Sequence, residues 1–190
     1  MPPPKPIILA SASPRRQELL KNAGIAFEIR PANIPEVPHA GEDPVAFAER
    51  MARDKARAVR LLLPERIILA ADTVVAVENE ILGKPASADD AACMLRLLSG
   101  RTHAVISGVC LVGEGFEDVL SETTAVEFSR MTEAEIREYV ATGEPMDKAG
   151  AYAIQGRASR WITRVDGDYT NVVGLPVELV LKMLKQHGVS

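Results

Sequence analysis

Apolar positions along this chain alternate between short continuous runs and helically spaced stripes, and that alternation predicts its elements. Ile7-Ile8-Leu9-Ala10 is a continuous apolar run of the kind found in a buried strand, and the small residues Ser11-Ala12-Ser13 follow it as a turn. Ser13 reads as an N-cap and Pro14 as the first residue of a helix containing Leu19 and Leu20. Ala26 to Arg30 looks extended, and residues 31–41 form a proline-rich loop. From Asp43-Pro44 to about Leu63, Val45, Ala48, Met51, Ala52, Ala56, Val59 and Leu62 form one helical stripe, which Pro64 stops. Arg66 to Val77 is β-rich and ends in a turn, Glu78-Asn79-Glu80. Ser87 with Asp90, and Thr132 with Glu135, read as capping boxes that open helices ending near Leu98 and at Gly143-Glu144-Pro145. Thr102 to Val112 and Val119 to Phe128 read as a strand pair joined across Gly113 to Gly115. Ala151 to Ile154 and Trp161 to Val165 read as short strands, and Leu175-Pro176 leads into an amphipathic C-terminal helix. Strands and helices in mixed order, without a repeat, predict an α/β protein with a partly antiparallel sheet.

Composition narrows the partners. At 190 residues and 47% hydrophobic, the chain is long enough for one domain or two small lobes with a real core. A net charge of -4, with both signs mixed throughout, leaves no footprint for nucleic acid or an anionic membrane surface, so neither is expected as a partner. Residues 1–6 are too short and too polar for a signal peptide and are expected to form a flexible tail before a single domain over 7–190. No apolar run approaches the ~20 residues of a membrane span, so a cytoplasmic location is expected. Cys93 and Cys110 lack C-x-x-C spacing, and His39, His103 and His187 are scattered. Neither a zinc site nor a disulfide framework is expected, and both cysteines read as small core residues.

Five positions break local rules. Arg15 and Arg16 fall in the first turn of a helix, against an end that already carries partial positive charge. Either they are solvated surface arginines, or an anion such as a phosphate chain supplies the missing negative charge, together with Ser11, Ser13 and the free N–H groups. Asp72 interrupts the buried run Ile67 to Val77, so a cation, a donor set or an open cleft faces it, unless it is a strand-end carboxylate paired with an arginine. Lys55 lies inside the apolar stripe of its helix and either snorkels to the rim or points into a cleft. Lys84, between Gly83 and Pro85, is either a solvated loop lysine or one presented on a stiff segment. Taken together, these cations, hydroxyls and one carboxylate form the set expected for a bound polyphosphate, with the acid managing a metal ion or a water.

The segments LASASPRRQELL (9–20), ADTVV (71–75) with Gly83-Lys84-Pro85, SGRTHAVISGV (99–109), DKAGAYAIQG (147–156) and DGDYTNVVGLP (166–176) resemble the Maf family, in order and over nearly the whole chain. The resemblance implies a fold similar to that of inosine triphosphate pyrophosphatases: an elongated, bent mixed sheet with flanking helices and two lobes around a cleft. It also implies a nucleoside triphosphate pyrophosphatase. Carried residue by residue, it implies that Ser11, Arg15 and Arg16 hold phosphates and that Asp72 accepts a proton. Lys55 and Lys84 would support the phosphate chain, and Arg15, Thr73 and Gln155 are linked to substrate choice. The segment 147–156 looks like the branch acting on dTTP and UTP. Many relatives carry an acidic cluster in the loop before the second helix, where this chain has Asn33-Ile34-Pro35-Glu36; Glu36 matches, and is the metal ligand implied beside Asp72. A divalent cation (magnesium or manganese), a homodimer, and a role in clearing nucleotides or in division arrest complete what the resemblance implies.

The chemistry follows from charge. Cleavage between the α- and β-phosphates requires a water nucleophile, neutralisation of the leaving pyrophosphate and in-line geometry. The amide of Gln155 offers a donor and an acceptor that can match the O4 and N3–H edge of uracil or thymine, and cytosine reverses that pattern. Read without the resemblance, Gln155 is a turn residue before Gly156. The same cradle could serve CTP, a modified pyrimidine nucleotide or 7-methyl-GTP, or belong to a non-catalytic nucleotide-sensing regulator of division.

Overall fold

In the computed structural model, which describes residues 5–189, elements follow in the order β1 (Ile7–Leu9), α1 (Pro14–Asn22), β2 (Phe27–Ile29), α2 (Pro44–Leu62), β3 (Ile68–Val77), β4 (Glu80–Leu82) and α3 (Ala88–Leu98). Then come β5 (Thr102–Gly113), β6 (Phe116–Phe128), α4 (Glu133–Ala141), β7 (Ile162–Asp166), α5 (Tyr169–Val173) and α6 (Val177–Gln186). Short 3-10 turns at Glu144–Asp147, Ala149–Ala151 and Arg157–Trp161 fill the stretch between α4 and β7. The seven strands form one mixed sheet in the order β2-β1-β3-β5-β6-β7, with β4 paired to β3. β1 runs parallel to β2 and β3, whereas β4 and β7 pair antiparallel with β3 and β6. This is the expected α/β class. Of the expected tail, residues 1–4 lie outside the described residues, and the Pro6 carbonyl accepts from Arg66 Nη2 at 2.7 Å. Among the described residues no helix is long and apolar enough to cross a membrane. The chain separates into two compact units.

The first unit comprises the chain through Asp72, Ser107–Glu122, and Gly174 onward. β1 and this unit's parts of β3 and β5 are buried on both faces, which is why β1 reads as a continuous apolar run. Ile7 and Leu9 join Leu69, Ala71, Leu111 and the α6 residues Val180, Met183 and Leu184. Ile8 and Ala10 turn the other way, onto Ala52, Ala56 and Val59 of α2, with Ile68, Ala70 and Cys110. Period-two alternation in β3 therefore puts Asp72, like Ile68 and Ala70, on the α2 face. α2 starts where expected: the Asp43 carboxylate accepts from the backbone N–H groups of Val45 and Ala46, and Pro44 occupies the first turn. Its backbone lies directly on β5, because a Cβ at Gly108 would come 2.2 Å from the Ala48 carbonyl oxygen. Leu62, expected in the apolar stripe, is 79% exposed. The buried stripe ends at Val59, and Leu63, just past the helix, packs on the core instead. At the far end, His187 stacks on Phe116 and pairs with Asp118, fastening α6 to β6.

The second unit, Thr73–Ile106 with Thr123–Val173, has its own core of Val75, Leu82, Leu95, Leu98, Phe128, Ile136, Tyr139, Tyr152 and Trp161. Several expectations change here. Glu80 belongs to β4, and the tight turn is Glu78-Asn79, with φ of 50° and 65° at the two central residues, the geometry of a two-residue hairpin. The strand expected at Ala151 to Ile154 is absent: Gly150 and Ala151 take φ of 69° and 62°, which breaks any extended run. Five-residue α5 was not foreseen, being too short to show a stripe. Asp90 reaches back to the Ala86 N–H rather than closing a capping box on Ser87, whereas Thr132 and Glu135 do form one. Cys93 is exposed on α3, against the expectation of a core residue, and Cys110 is buried. The DGDYTN segment is a structural pin. Asp168 Oδ1 accepts from Thr170 and from the Asn171 N–H, while fully buried Asn171 donates from Nδ2 to the Val105 carbonyl and to Thr124 Oγ1.

His103 is 3% exposed, with Nε2 2.6 Å from the Tyr152 hydroxyl and both rings edge-on to Phe128. Burial lowers its imidazole from 6.5 to about 4. The unfolded chain therefore binds the proton first, so stability is full above pH 6.5 and falls as pH drops toward 4, by up to about 3 kcal/mol. His103→Gln is expected to flatten this part of the pH dependence. Urea unfolding at pH 7 and 4.5 checks it: equal pH dependence in both proteins would show that His103 is not the group involved.

Candidate functional site

Where β1 ends, residues 11–13 turn the chain into α1, and both serine hydroxyl oxygens of the turn accept hydrogen bonds. Ser13 caps α1 by accepting from the Arg16 N–H at 3.5 Å, Pro14 opens the helix, and the first turn contains no acid. Ser11, 9% exposed, accepts on Oγ from the Ser13 N–H at 3.2 Å and from Arg16 Nη1 at 3.3 Å. Arg16 Nε donates to the Gly174 carbonyl at 2.7 Å, so two edges of the guanidinium are fixed. Desolvation lowers the Arg16 pKa below the ordinary guanidinium value; Asp72 and Glu36 oppose that fall and neighbouring Arg15 adds to it. Arg16, in the first turn of a helix, thus lies within electrostatic reach of two carboxylates.

The second half of this cluster comes from α2 and β3. Leu9 pairs with Leu69, so Asp72 stands in β3 beyond the point where β1 has ended, at the level of the turn into α1. Parallel-sheet proteins hold ligands outside the carboxyl ends of such strands. Lys55, buried in the α2 stripe, faces the same side. Its Nζ lies 2.6 Å from Asp72 Oδ1 and 2.8 Å from Glu36 Oε1. Lys55 and Asp72 side chains are 9% and 8% exposed, while Glu36 is 47% exposed and forms the open side. The alternatives left open by the sequence resolve locally: Lys55 does not snorkel, and Asp72 pairs with a lysine, with Arg16 also within electrostatic reach.

Ser11, Arg16, Glu36, Lys55 and Asp72 are therefore brought together in the first unit, with Arg15 beside Arg16 in the same helical turn. The remaining candidates lie in the second unit. Thr73 follows Asp72 on the opposite face of β3. Lys84 is exposed after β4, on a segment whose Gly83 carbonyl accepts from the Gly150 N–H at 3.1 Å. Gln155 is exposed just before the Arg157–Trp161 turn. Sequence reasoning missed Gly174 as a holder of Arg16; its one visible signal is a glycine preceding Leu175-Pro176, and it adopts φ of 137°.

Asp72 and Glu36 already converge on one cation, the Lys55 ammonium, and both offer the hard oxygen donors that magnesium and manganese take. Among the described residues no group of three or more His, Cys, Asp or Glu side chains is placed to hold a metal ion. Two carboxylates fit a metal whose remaining ligands are phosphate oxygens and water, the usual arrangement for magnesium at triphosphates. Chemically, the cluster joins an anion cradle to a buried, lysine-bound carboxylate.

Residues 6–187 match the profile of the family described as Maf-like protein. The chain is 54% identical to the dTTP/UTP pyrophosphatase of Koribacter versatilis, over 96% of this chain and 95% of that protein. It is 50% identical to the dTTP/UTP pyrophosphatase of Symbiobacterium thermophilum (96% and 94% covered) and 46% identical to that of a Geobacillus species (97% and 99% covered).

Proposed function

Because this chain belongs to the Maf family, we propose that it is a nucleoside triphosphate pyrophosphatase that hydrolyses dTTP and UTP between the α- and β-phosphates, releasing the monophosphate and pyrophosphate. The observation that carries this reading is the Lys55 ammonium held 2.6 Å from Asp72 and 2.8 Å from Glu36, beside Arg16 at the start of α1. The names of the relatives support the choice of nucleotides.

Each residue then has a task. The Ser11 hydroxyl, Arg15 and Arg16, at the N-terminus of α1, hold the phosphate chain. Asp72 orients the attacking water and accepts its proton, and Lys55 fixes the carboxylate oxygen in place for that transfer. A magnesium or manganese ion, held by Asp72 and Glu36 with phosphate oxygens, would neutralise charge on the reacting phosphates. Lys84 supports the leaving pyrophosphate, and Arg15, Thr73 and Gln155 set substrate choice; these roles rest on the family resemblance. A cytoplasmic location and a homodimer belong to the same proposal.

Pyrophosphate release from dTTP, UTP, CTP, GTP and 7-methyl-GTP tests it, with magnesium, with manganese and with chelator. Metal-dependent release led by dTTP and UTP is expected. Equal turnover of purine and pyrimidine triphosphates would overturn the base selection, and undiminished release in chelator would remove the metal from the mechanism.

A further inference from the structure

We propose that Glu144 is a positioning residue for base selection: its carboxylate fixes the backbone that presents Gln155. The inference rests on the reading of Gln155 as the base-selecting amide. Glu144 begins the 3-10 turn after α4 and is half-buried. Its Oε1 accepts from the Tyr139 hydroxyl at 3.0 Å and from the Arg157 N–H at 3.0 Å, so one oxygen ties the α4 helix to a residue just past Gln155. The residue is itself anchored, its N–H donating to Thr142 Oγ1 at 3.2 Å and its carbonyl accepting from Lys148 Nζ at 2.8 Å. Between Gln155 and Arg157, the backbone lies flat against this carboxylate. A Cβ at Gly156 would come 1.9 Å from Oε1 and 2.6 Å from Cδ, so only glycine fits while Glu144 stays in place.

The other end of the segment is pinned as well. Gly150 donates to the Gly83 carbonyl at 3.1 Å and presses on Val75, and the Tyr152 hydroxyl pairs with His103. Fully buried Ala151, held at φ 62°, sits between these two pins; a non-glycine residue keeps that conformation only where its surroundings impose it. Gln155 is thus an exposed side chain on an immobilised backbone. That is what amide recognition needs. An amide discriminates bases by leaving a donor or acceptor unpaired when the edge is wrong, and a backbone free to shift lets the amide re-pair with the wrong edge.

The test is kcat/KM for dTTP and for CTP in wild type, Glu144→Ala, Glu144→Gln, Gln155→Ala and the Glu144→Ala/Gln155→Ala double variant. Glu144→Ala is expected to lower the dTTP-to-CTP ratio by about tenfold, and Glu144→Gln, which keeps an acceptor oxygen, to restore most of it. The double variant should match Gln155→Ala, because the effect runs through Gln155. Glu144→Asp withdraws the oxygens by one methylene at constant charge and carries the test if Glu144→Ala does not fold; it too should lower the ratio. An unchanged ratio in the Glu144 variants, or losses that add in the double variant, would overturn the proposal. A wild type without preference for dTTP, or an unchanged ratio in Gln155→Ala alone, would instead overturn the reading of Gln155 on which it depends.

Discussion

Asp72→Asn is expected to lower kcat/KM for dTTP by about 10³-fold or more, the scale of losing a positioned general base, while the protein stays folded. Asparagine keeps the shape and can still accept from Lys55, whose second carboxylate partner, Glu36, remains. What it removes is the charge that, in the proposed reaction, takes the proton of water and, with Glu36, would hold a cation. Packing around the site barely changes, because Ala70, Ile68 and the α2 stripe are untouched. Pyrophosphate release measured beside thermal unfolding separates the two effects. Near-normal turnover by a folded variant would show that Asp72 is not the proton acceptor.

Gly108→Ala should produce the largest loss of stability of any single methyl added to the first unit. Its Cβ would lie 2.2, 2.4 and 2.6 Å from the Ala48 oxygen, the Ala48 carbon and the Glu49 nitrogen, all backbone atoms of α2. A side chain can swing away from such a contact; a helix must translate as a body. Overpacking of this kind costs about 3 kcal/mol, at the upper end for core insertions, and should lower Tm by about 10 °C. Because the displaced helix carries Lys55, turnover should fall as well. A variant with wild-type Tm would show that α2 does not rest on β5 as described. Gly115→Ala is the natural control for a glycine change, since its added Cβ meets nothing within 4 Å and any cost there comes from φ of 78° alone.

The sequence was most informative where a residue contradicted its own element. Arg15 and Arg16 in an acid-free first turn, Asp72 in an apolar strand and Lys55 in an apolar stripe could be read as a charged site, because patterning makes each misplaced charge conspicuous. β4 and α5 escaped notice, since three residues directly after a turn and five in a helix show too few periods of 2 or 3.6 to stand out. The expected strand at Ala151 to Ile154 failed for a different reason: nothing in those residue types announces a positive φ at Ala151, which is held there by tertiary contacts.

By itself, then, the sequence determined the α/β class, the starts of α1, α2 and α4, the two-faced burial of β1 and β3, and the motif residues that place the chain in its family. These depend on local propensity and on periods of 2 and 3.6, which are written along the chain. Tertiary structure alone decided that Lys55 faces Asp72 and Glu36 rather than solvent, that the Gly174 carbonyl holds Arg16 from far along the chain, and that Glu144 supports the backbone beside Gln155. Each of these is a contact between distant segments, set by which strand lies beside which helix and at what register, and no local preference encodes that choice.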